Sequence, residues 1–454
     1  MLKFPKSFKF GAAISAMQTE GKGTTKIGKL TFDELFEIQP EKFHNGIGPS
    51  ITSDIMNHYK SDIKMMKEMK LESLRTGFSW ARLFPDGKTL NKEAVKYYHN
   101  FIDELIKNDV QVFMTLFHFD MPMWAQKKGA WASREVIESF TNYSKFVFEE
   151  YKEKVEFYVT FNEPLNPVLN GYTGKTHYPC IDEPLQAVEQ AYGIFLAHAK
   201  VTQEFYKNNF KNSKIGMVFD WNYSYSIDQT KENLYAEKVF DAYVNRGSFN
   251  IFYNGTISPL LISTLKEYNA VPKHSKEEIE IIKNTRVDFM GVNYYFPSRI
   301  RAKKHSNPRW ALDLVDRFIP EGARMNPFRG WEIEPNGIYD IAIAIKNEYN
   351  NVPWYIAENG MGVENEEKYR DKSGMIQDDY RIAYIEEHLT ALKKGMDDGS
   401  NCFGYHMWTL MDCWSFMNAY KNRYGFIEVD LKTQNRKFKK SAFWYKNLIE
   451  NKEK

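Results

Sequence analysis

Two short stretches of this chain end in a glutamate placed where an enzyme could use it. Thr160-Phe161-Asn162-Glu163-Pro164 closes a β-rich apolar run that begins at Val155. Tyr355-Ile356-Ala357-Glu358-Asn359-Gly360 closes another that begins at Val352. A carboxylate at the carboxyl end of a buried strand is costly to desolvate, so its presence there points to use. Either glutamate alone is better read as a strand cap that meets solvent. Two of them facing one cleft make the minimal apparatus of glycoside hydrolysis, one as acid and the other as nucleophile or base.

The elements that would bring them together are legible as alternation. Short β-rich runs cover residues 8–14, 71–78, 111–117, 155–161, 214–220, 287–294, 352–357 and 402–408. Amphipathic stretches fall between them, among them 53–69, 92–108, 135–150, 185–207, 231–244 and 378–397. This order predicts βα units around a parallel sheet. Eight such units close a (β/α)8 TIM barrel, whose chemistry sits at the carboxyl ends of its strands. An open doubly wound sheet is the rival, but it wants a Gly-rich phosphate turn after its first strand, and none is present. The polar insert 299–331, rich in Arg, Pro and Gly, is expected to lie as a loop over the barrel mouth. With no repeat or linker, residues 1–454 read as one domain with inserted loops at the carboxyl-terminal face.

Composition narrows the class. Hydrophobic residues at 43% supply a large core, and aromatics at 16% offer flat faces that suit sugar rings as well as packing. The net charge of +2 comes from 61 basic and 59 acidic residues, interspersed, so neither nucleic acid nor a membrane surface is indicated as a partner. Cys180, Cys402 and Cys413 have no metal-ligand spacing and read as reduced thiols. Residues 1–10 carry lysines and no apolar stretch of signal-peptide type, and no 18-residue apolar run exists. A cytoplasmic protein without cofactor or metal is the expectation.

On the barrel reading, one set of side chains gathers at one face: Gln18 and Glu20, Arg75 and Trp80, His118, Asn162 with Glu163, Asn293 with Tyr295, Glu358, and Trp408. Amides, an imidazole, a guanidinium and indoles around two carboxylates suit a pocket that reads hydroxyls and stacks rings. Singly, each has a plain alternative, since His118, Trp80 and Trp408 fit a core and Arg75 fits a barrel ion pair.

The chain resembles glycoside hydrolase family 1, the retaining β-glycosidases, over essentially its full length. The matching segments are Phe8-Lys9-Phe10-Gly11 through Gln18-Thr19-Glu20-Gly21, Arg75-Thr76-Gly77-Phe78-Ser79-Trp80, His118-Phe119-Asp120, the two glutamate motifs, Asn293-Tyr294-Tyr295 and Lys440-Ser441-Ala442-Phe443-Trp444-Tyr445. The resemblance implies Glu163 as acid/base and Glu358 as nucleophile. It also implies Gln18, His118, Asn162 and Trp408 as sugar contacts, Arg75 and Tyr295 as holders of the nucleophile, and Trp331 as the platform for the leaving group. The acid needs apolar, electron-rich surroundings that raise its pKa, and the nucleophile needs partners that lower its own.

The stretch from Trp408 to Gly425 bears on substrate class. Family members acting on unmodified glucosides carry Glu then Trp where this chain has Ser415 and Phe416. Members acting on 6-phosphorylated glycosides carry Ser, then Lys seven positions on and Tyr two beyond. Ser415 and Tyr424 match that pattern, while Asn422 holds the lysine position and Lys421 stands one place early. A glutamate beside a phosphate would repel it by about 4 kcal/mol per charge pair at ~4 Å and an effective dielectric near 20. Serine and tyrosine hydroxyls donate instead. Lys421 supplies a cation only if the loop turns it inward, because neighbours in an extended segment point oppositely. The sequence therefore favours hydrolysis of a 6-phospho-β-glucoside or 6-phospho-β-galactoside. A β-glucosidase or β-galactosidase for unphosphorylated sugars is the alternative, and a barrel that binds sugar without cleaving it stands third. The partner is a small-molecule β-glycoside.

Overall fold

The structure, a computed structural model, describes residues 2–453. Eight parallel strands close a barrel in sequence order around the ring: β1 (Lys9–Ala13), β2 (Ser73–Gly77), β3 (Gln111–Phe117), β4 (Phe157–Asn162), β5 (Lys214–Asp220), β6 (Phe289–Asn293), β7 (Trp354–Asn359) and β8 (Cys402–Trp408). The last strand pairs with the first, Gly11 opposite His406 and Ala13 opposite Trp408. The strands are buried almost throughout because helices cover one face and the barrel interior fills the other, which is why they read as continuous apolar runs.

Inside the barrel, Phe113, Phe157, Phe289, Tyr355 and Phe403 form a dry layer beneath the site. The rings of Phe113 and Phe157 stack in parallel with centroids 4.2 Å apart. Outside, amphipathic helices lay one stripe on the sheet. In α1 (Lys92–Lys107) the buried residues are Ala94, Tyr97, Tyr98, Phe101, Ile102 and Leu105, a three- and four-residue spacing. Its start is fixed by Asn91, whose side chain accepts from the backbone N–H groups of Glu93 and Ala94. Burying each such aromatic or branched side chain contributes roughly 1.5–3 kcal/mol.

Two expectations are corrected. The insert 299–331 is not a plain loop. Ser298–Ala302 pairs in parallel with Ser224–Ser226 and antiparallel with Val315–Arg317, and Met325–Asn326 forms a hairpin with Trp331–Glu332. A segment lying across the barrel end must pair its backbone groups, and short ladders do so. The strand before Glu358 does not stop at that residue either: β7 runs through Glu358 to Asn359, with Glu358 opposite Asn293 of β6.

Candidate active site

Breaks in strand register precede both glutamates. On β4 the pairing with β5 shifts between Val159 and Asn162; on β7 the pairing with β6 shifts between Ile356 and Glu358. An extra residue in a strand re-aims the side chains beyond it. Phe157, Val159, Tyr355 and Ala357 face the barrel interior, so strict alternation would turn Glu358 outward to the helices. Glu163 sits just past β4 in the left-handed region, φ 45°, which costs a non-glycine residue roughly 1–3 kcal/mol. Its backbone N–H is tied to the carbonyl of Val218 on β5 at 2.8 Å. Beyond Glu358, a Cβ on Gly360 would lie 1.9 Å from the carbonyl oxygen of Trp408, so the Glu-Asn-Gly order leaves room for the neighbouring strand end.

Glu358 is held at both oxygens. Arg75 donates from Nη1 to Oε1 at 2.6 Å, and Tyr295 donates its hydroxyl to Oε2 at 2.7 Å. Arg75 also donates from Nη2 to Oδ1 of Asn162 at 2.6 Å. Asn293 donates from Nδ2 to Oδ1 of Asn162 at 3.0 Å and to Oε1 of Glu163 at 2.7 Å; Asn166 donates to Oε2 of Glu163 at 2.8 Å. The two carboxylates thus share one polar network with a single guanidinium, and that guanidinium is on Glu358.

Electrostatics separate the pair. Burial, then the charges of Asp220 and Glu358, push Glu163 well above the usual carboxylate range, against the Asn293 amide and Arg75. Burial raises Glu358 as well, and here the expectation of a lowered pKa is corrected. The charge and hydrogen bond of Arg75 and the Tyr295 hydroxyl pull it back without outweighing the loss of water. Of the two, Glu163 keeps its proton and Glu358 gives its own up first.

The other residues named from sequence meet around this pair. Gln18 is buried, accepting from Ser15 and donating to the carbonyl of Trp414 at 2.8 Å. Asn162 Nδ2 lies 3.1 Å from Nε2 of His118, whose pKa burial and Arg75 hold well below 6.5, so the ring is neutral. With Nε2 accepting from the amide, Nδ1 carries the hydrogen, and it has no partner among the described residues. Asp120 accepts from the backbone N–H groups of His118 and Trp80, fixing that loop. The indole of Trp408 lies nearly parallel to the His118 ring, centroids 6.1 Å apart. Trp331 sits further out, its ring 5.3 Å from that of Tyr295 and 4.9 Å from that of Phe296.

Two strand-end residues belong elsewhere. Trp80 packs among Trp124, Trp131, Phe140 and Tyr143, and Glu20 forms a buried ion pair with Arg82 at 2.9 Å. At the rim, Lys421 is not turned inward: it is exposed and pairs with Glu364 at 3.3 Å. Asn422 beside it is 2% exposed, and Tyr424 is 4% exposed with its ring packed over Gly362. The adjacent side chains of Lys421 and Asn422 have taken opposite sides of this bend. Ser415 is half-buried and its backbone N–H donates to the carbonyl of Ala419 at 2.7 Å. Buried Lys439, paired with Glu366 and with Asp412 at 2.9 Å, anchors this rim, since Asp412 accepts from the backbone N–H of Gly425.

Sequence reasoning missed Asp220. It ends β5, a strand whose carboxyl end carries no candidate on sequence grounds, and stands opposite Asn293 in the ladder. Burial raises its carboxyl to about 6, with Arg317 opposing the rise, and its charge acts on Glu163. The signal available was its position one residue before Trp221 at the close of an apolar run. No group of metal-ligating side chains occurs among the described residues.

Two buried glutamates of unequal proton affinity at the carboxyl-terminal mouth of a (β/α)8 barrel, with amides and indoles near them, are an arrangement suited to cleaving glycosidic bonds. The chain belongs to glycosyl hydrolase family 1, whose family model matches residues 1–454, and it is a β-glycosidase of that family. It is 41% identical to the 6-phospho-beta-glucosidase GmuD of Bacillus subtilis, covering 99% of this chain and 98% of that one. It is 34% identical to the 6-phospho-beta-galactosidase of Clostridium acetobutylicum, over 99% and 97% of the two chains. Among solved structures, the family 1 β-glucosidase from Thermotoga maritima superposes with a TM-score of 0.90 at 29% identity, over 99% and 98%. No described helix is long and apolar enough to cross a membrane.

Proposed function

We propose that this protein is a retaining β-glycosidase that takes 6-phosphorylated β-glycosides, with Glu163 as acid/base and Glu358 as nucleophile. In the first step the protonated Glu163 gives its proton to the glycosidic oxygen while a carboxylate oxygen of Glu358 attacks the anomeric carbon. The bond to the leaving group breaks and a glycosyl ester forms. In the second step the Glu163 carboxylate takes a proton from water, the water oxygen attacks the same carbon, and Glu358 is released. Arg75 and Tyr295 favour the ionised nucleophile, and Asn162 lies where an amide could meet the sugar 2-hydroxyl. Nothing in this sequence of steps calls for a cofactor, and the whole chain would act as one barrel domain.

The observation that carries the phosphate reading is the rim. No carboxylate stands at Ser415, and the Tyr424 phenol is buried against the pocket wall. Two full-length relatives named for 6-phospho substrates support it. Sugar phosphates are formed and kept inside cells, which supports a cytoplasmic site of action on a small-molecule substrate. A β-glucosidase or β-galactosidase for unphosphorylated sugars is the second reading, favoured by Asn422 in the lysine position and by the outward pairing of Lys421 with Glu364. The test is side-by-side hydrolysis of 4-nitrophenyl β-glucoside, β-galactoside and their 6-phosphates. A higher kcat/KM on a phosphorylated member supports the proposal, and equal or better turnover of an unphosphorylated one overturns it.

A further inference from the structure

The rim of the pocket holds an arginine that the chemistry above leaves unused. Arg329 lies in the hairpin between Met325–Asn326 and Trp331–Glu332. That hairpin is closed by Gly330, φ 65°, whose N–H donates to the carbonyl of Asn326 at 2.9 Å. The Asn326 side chain clamps it to the barrel, donating to the carbonyl of Gly362 at 3.0 Å and accepting from the N–H of Phe328 at 3.0 Å. The buried Asn422 amide reaches the carbonyl of Phe328 from below, at 3.5 Å. The guanidinium carbon of Arg329 lies 4.2 Å from the centre of the Trp331 ring.

Most arginines of this chain face carboxylates, as Arg75, Arg82, Arg299 and Arg381 do. Arg329 has no carboxylate partner among the described residues, and its Nε is buried without any hydrogen-bond partner. A stacked guanidinium presents its in-plane N–H groups at the edge of the ring, the fork that matches the oxygens of a phosphate. The hairpin adjoins Tyr424, whose ring packs on Gly362, the residue whose carbonyl Asn326 holds; burial raises the Tyr424 phenol and the charge of Arg329 opposes the rise. Tyr424 packs with Trp408, Cys413 and Tyr295, the last of which holds Glu358.

We propose that Arg329 is the cation that binds the sugar 6-phosphate, together with the hydroxyls of Tyr424 and Ser415. It does from the hairpin what a lysine at position 422 would do from the loop. The assignment rests on the phospho-glycoside reading and deepens it. Asn422, which carries no charge, instead supports the hairpin that carries Arg329. From sequence the arginine was hidden in the insert, because nothing in the motif around residues 415–424 points across the mouth to residue 329.

The experiment compares kcat/KM for 4-nitrophenyl β-glucoside 6-phosphate and 4-nitrophenyl β-glucoside, which share an aglycone, and tracks the ratio of the two. Arg329→Gln should lower that ratio by about 10- to 150-fold, chiefly through KM, the range of one charged hydrogen bond. Inhibition by glucose 6-phosphate should weaken in parallel. Adding Asn422→Lys to Arg329→Gln should raise the ratio again. Should Arg329→Gln not fold, Arg329→Lys carries the test, with a drop of about threefold or more expected from loss of the planar fork. If wild type favours the phosphorylated substrate and neither variant changes the ratio, the assignment of Arg329 falls while the phosphate reading stands. Equal losses on both substrates make Arg329 a support for Trp331 and overturn the assignment. If wild type favours the unphosphorylated substrate, the reading beneath falls instead.

Discussion

Arg75 and Glu358 meet across the barrel, Nη1 to Oε1 at 2.6 Å, with the guanidinium wholly buried and the carboxylate nearly so. A charge withdrawn this far from water persists only with a partner, and the same guanidinium reaches Asn162 beside Glu163. The pair therefore keeps an anion in a dry pocket at a fixed place, which is what a nucleophile requires and a mere strand cap does not.

Glu358→Ala should accordingly lose activity by several orders of magnitude while leaving substrate binding measurable. Added azide should restore part of the turnover and give the product of inverted configuration, read by proton NMR of the anomeric centre. A carboxyl separation of roughly 5–5.5 Å in a crystal structure accords with retention, and ~6.5–9.5 Å with inversion. Normal turnover by the variant, or the wider spacing, removes Glu358 from the nucleophile's role.

The alkaline limb of the pH profile should report Glu163 and respond to Asp220. In the proposed roles Glu163 acts protonated, so kcat/KM should fall as pH rises through its pKa, and Glu358 acts ionised, so kcat/KM should fall again as pH drops through that pKa. Asp220, raised to about 6, carries its charge above that pH and there holds the Glu163 proton on. Asp220→Asn removes the charge and should shift the alkaline limb to lower pH by about one pH unit, with a smaller move of the acid limb. An alkaline limb that stays in place shows that burial and Glu358 raise the Glu163 pKa without Asp220.

Much of this arrangement was legible because barrel strands are apolar on both faces. The runs 111–117, 214–220 and 402–408 match β3, β5 and β8 end to end. The aim of the glutamates was not legible. It depends on register shifts in β4 and β7 and on a left-handed residue at 163, features that leave no pattern in residue type. Trp80 looked like a pocket wall because it comes just after a strand, yet its ring lies behind the sheet among Trp131, Phe140 and Tyr143. Asp220 and Arg329 escaped for a different reason: each acts on a residue far away in sequence, which only the closed barrel brings near.

The Trp331 ring lies 5.3 Å from that of Tyr295, which holds Glu358, and 4.2 Å from the guanidinium carbon of Arg329. As a platform for the leaving group it should matter more to aryl aglycones than to the sugar. Trp331→Ala should raise KM for 4-nitrophenyl substrates about 10-fold, near the worth of one aromatic contact, and leave the order of gluco and galacto substrates unchanged. A change in that order, with aryl KM unaffected, would assign the indole to the sugar site.

Ser415 offers the sharpest control on the phosphate reading, because its loop does not depend on its side chain. The turn is closed by backbone bonds, Ser415 N–H to the Ala419 carbonyl and Ala419 N–H to the Phe416 carbonyl, and Phe416 is anchored among Phe32, Phe119 and His177. A glutamate at 415 should thus fold in place. Facing a phosphate at ~4 Å it would repel by about 4 kcal/mol per charge pair, and partial exposure of the rim screens part of that. Ser415→Glu should lower kcat/KM on the 6-phosphorylated glycoside by roughly 10- to 100-fold. It should raise kcat/KM on the neutral one, since the new carboxylate can accept from sugar hydroxyls. Combined with Arg329→Gln, the loss should be less than additive, because both changes act on the same phosphate. Strict additivity, or an unaltered preference in Ser415→Glu alone, would mean that the rim at 415 does not face the sugar 6-position.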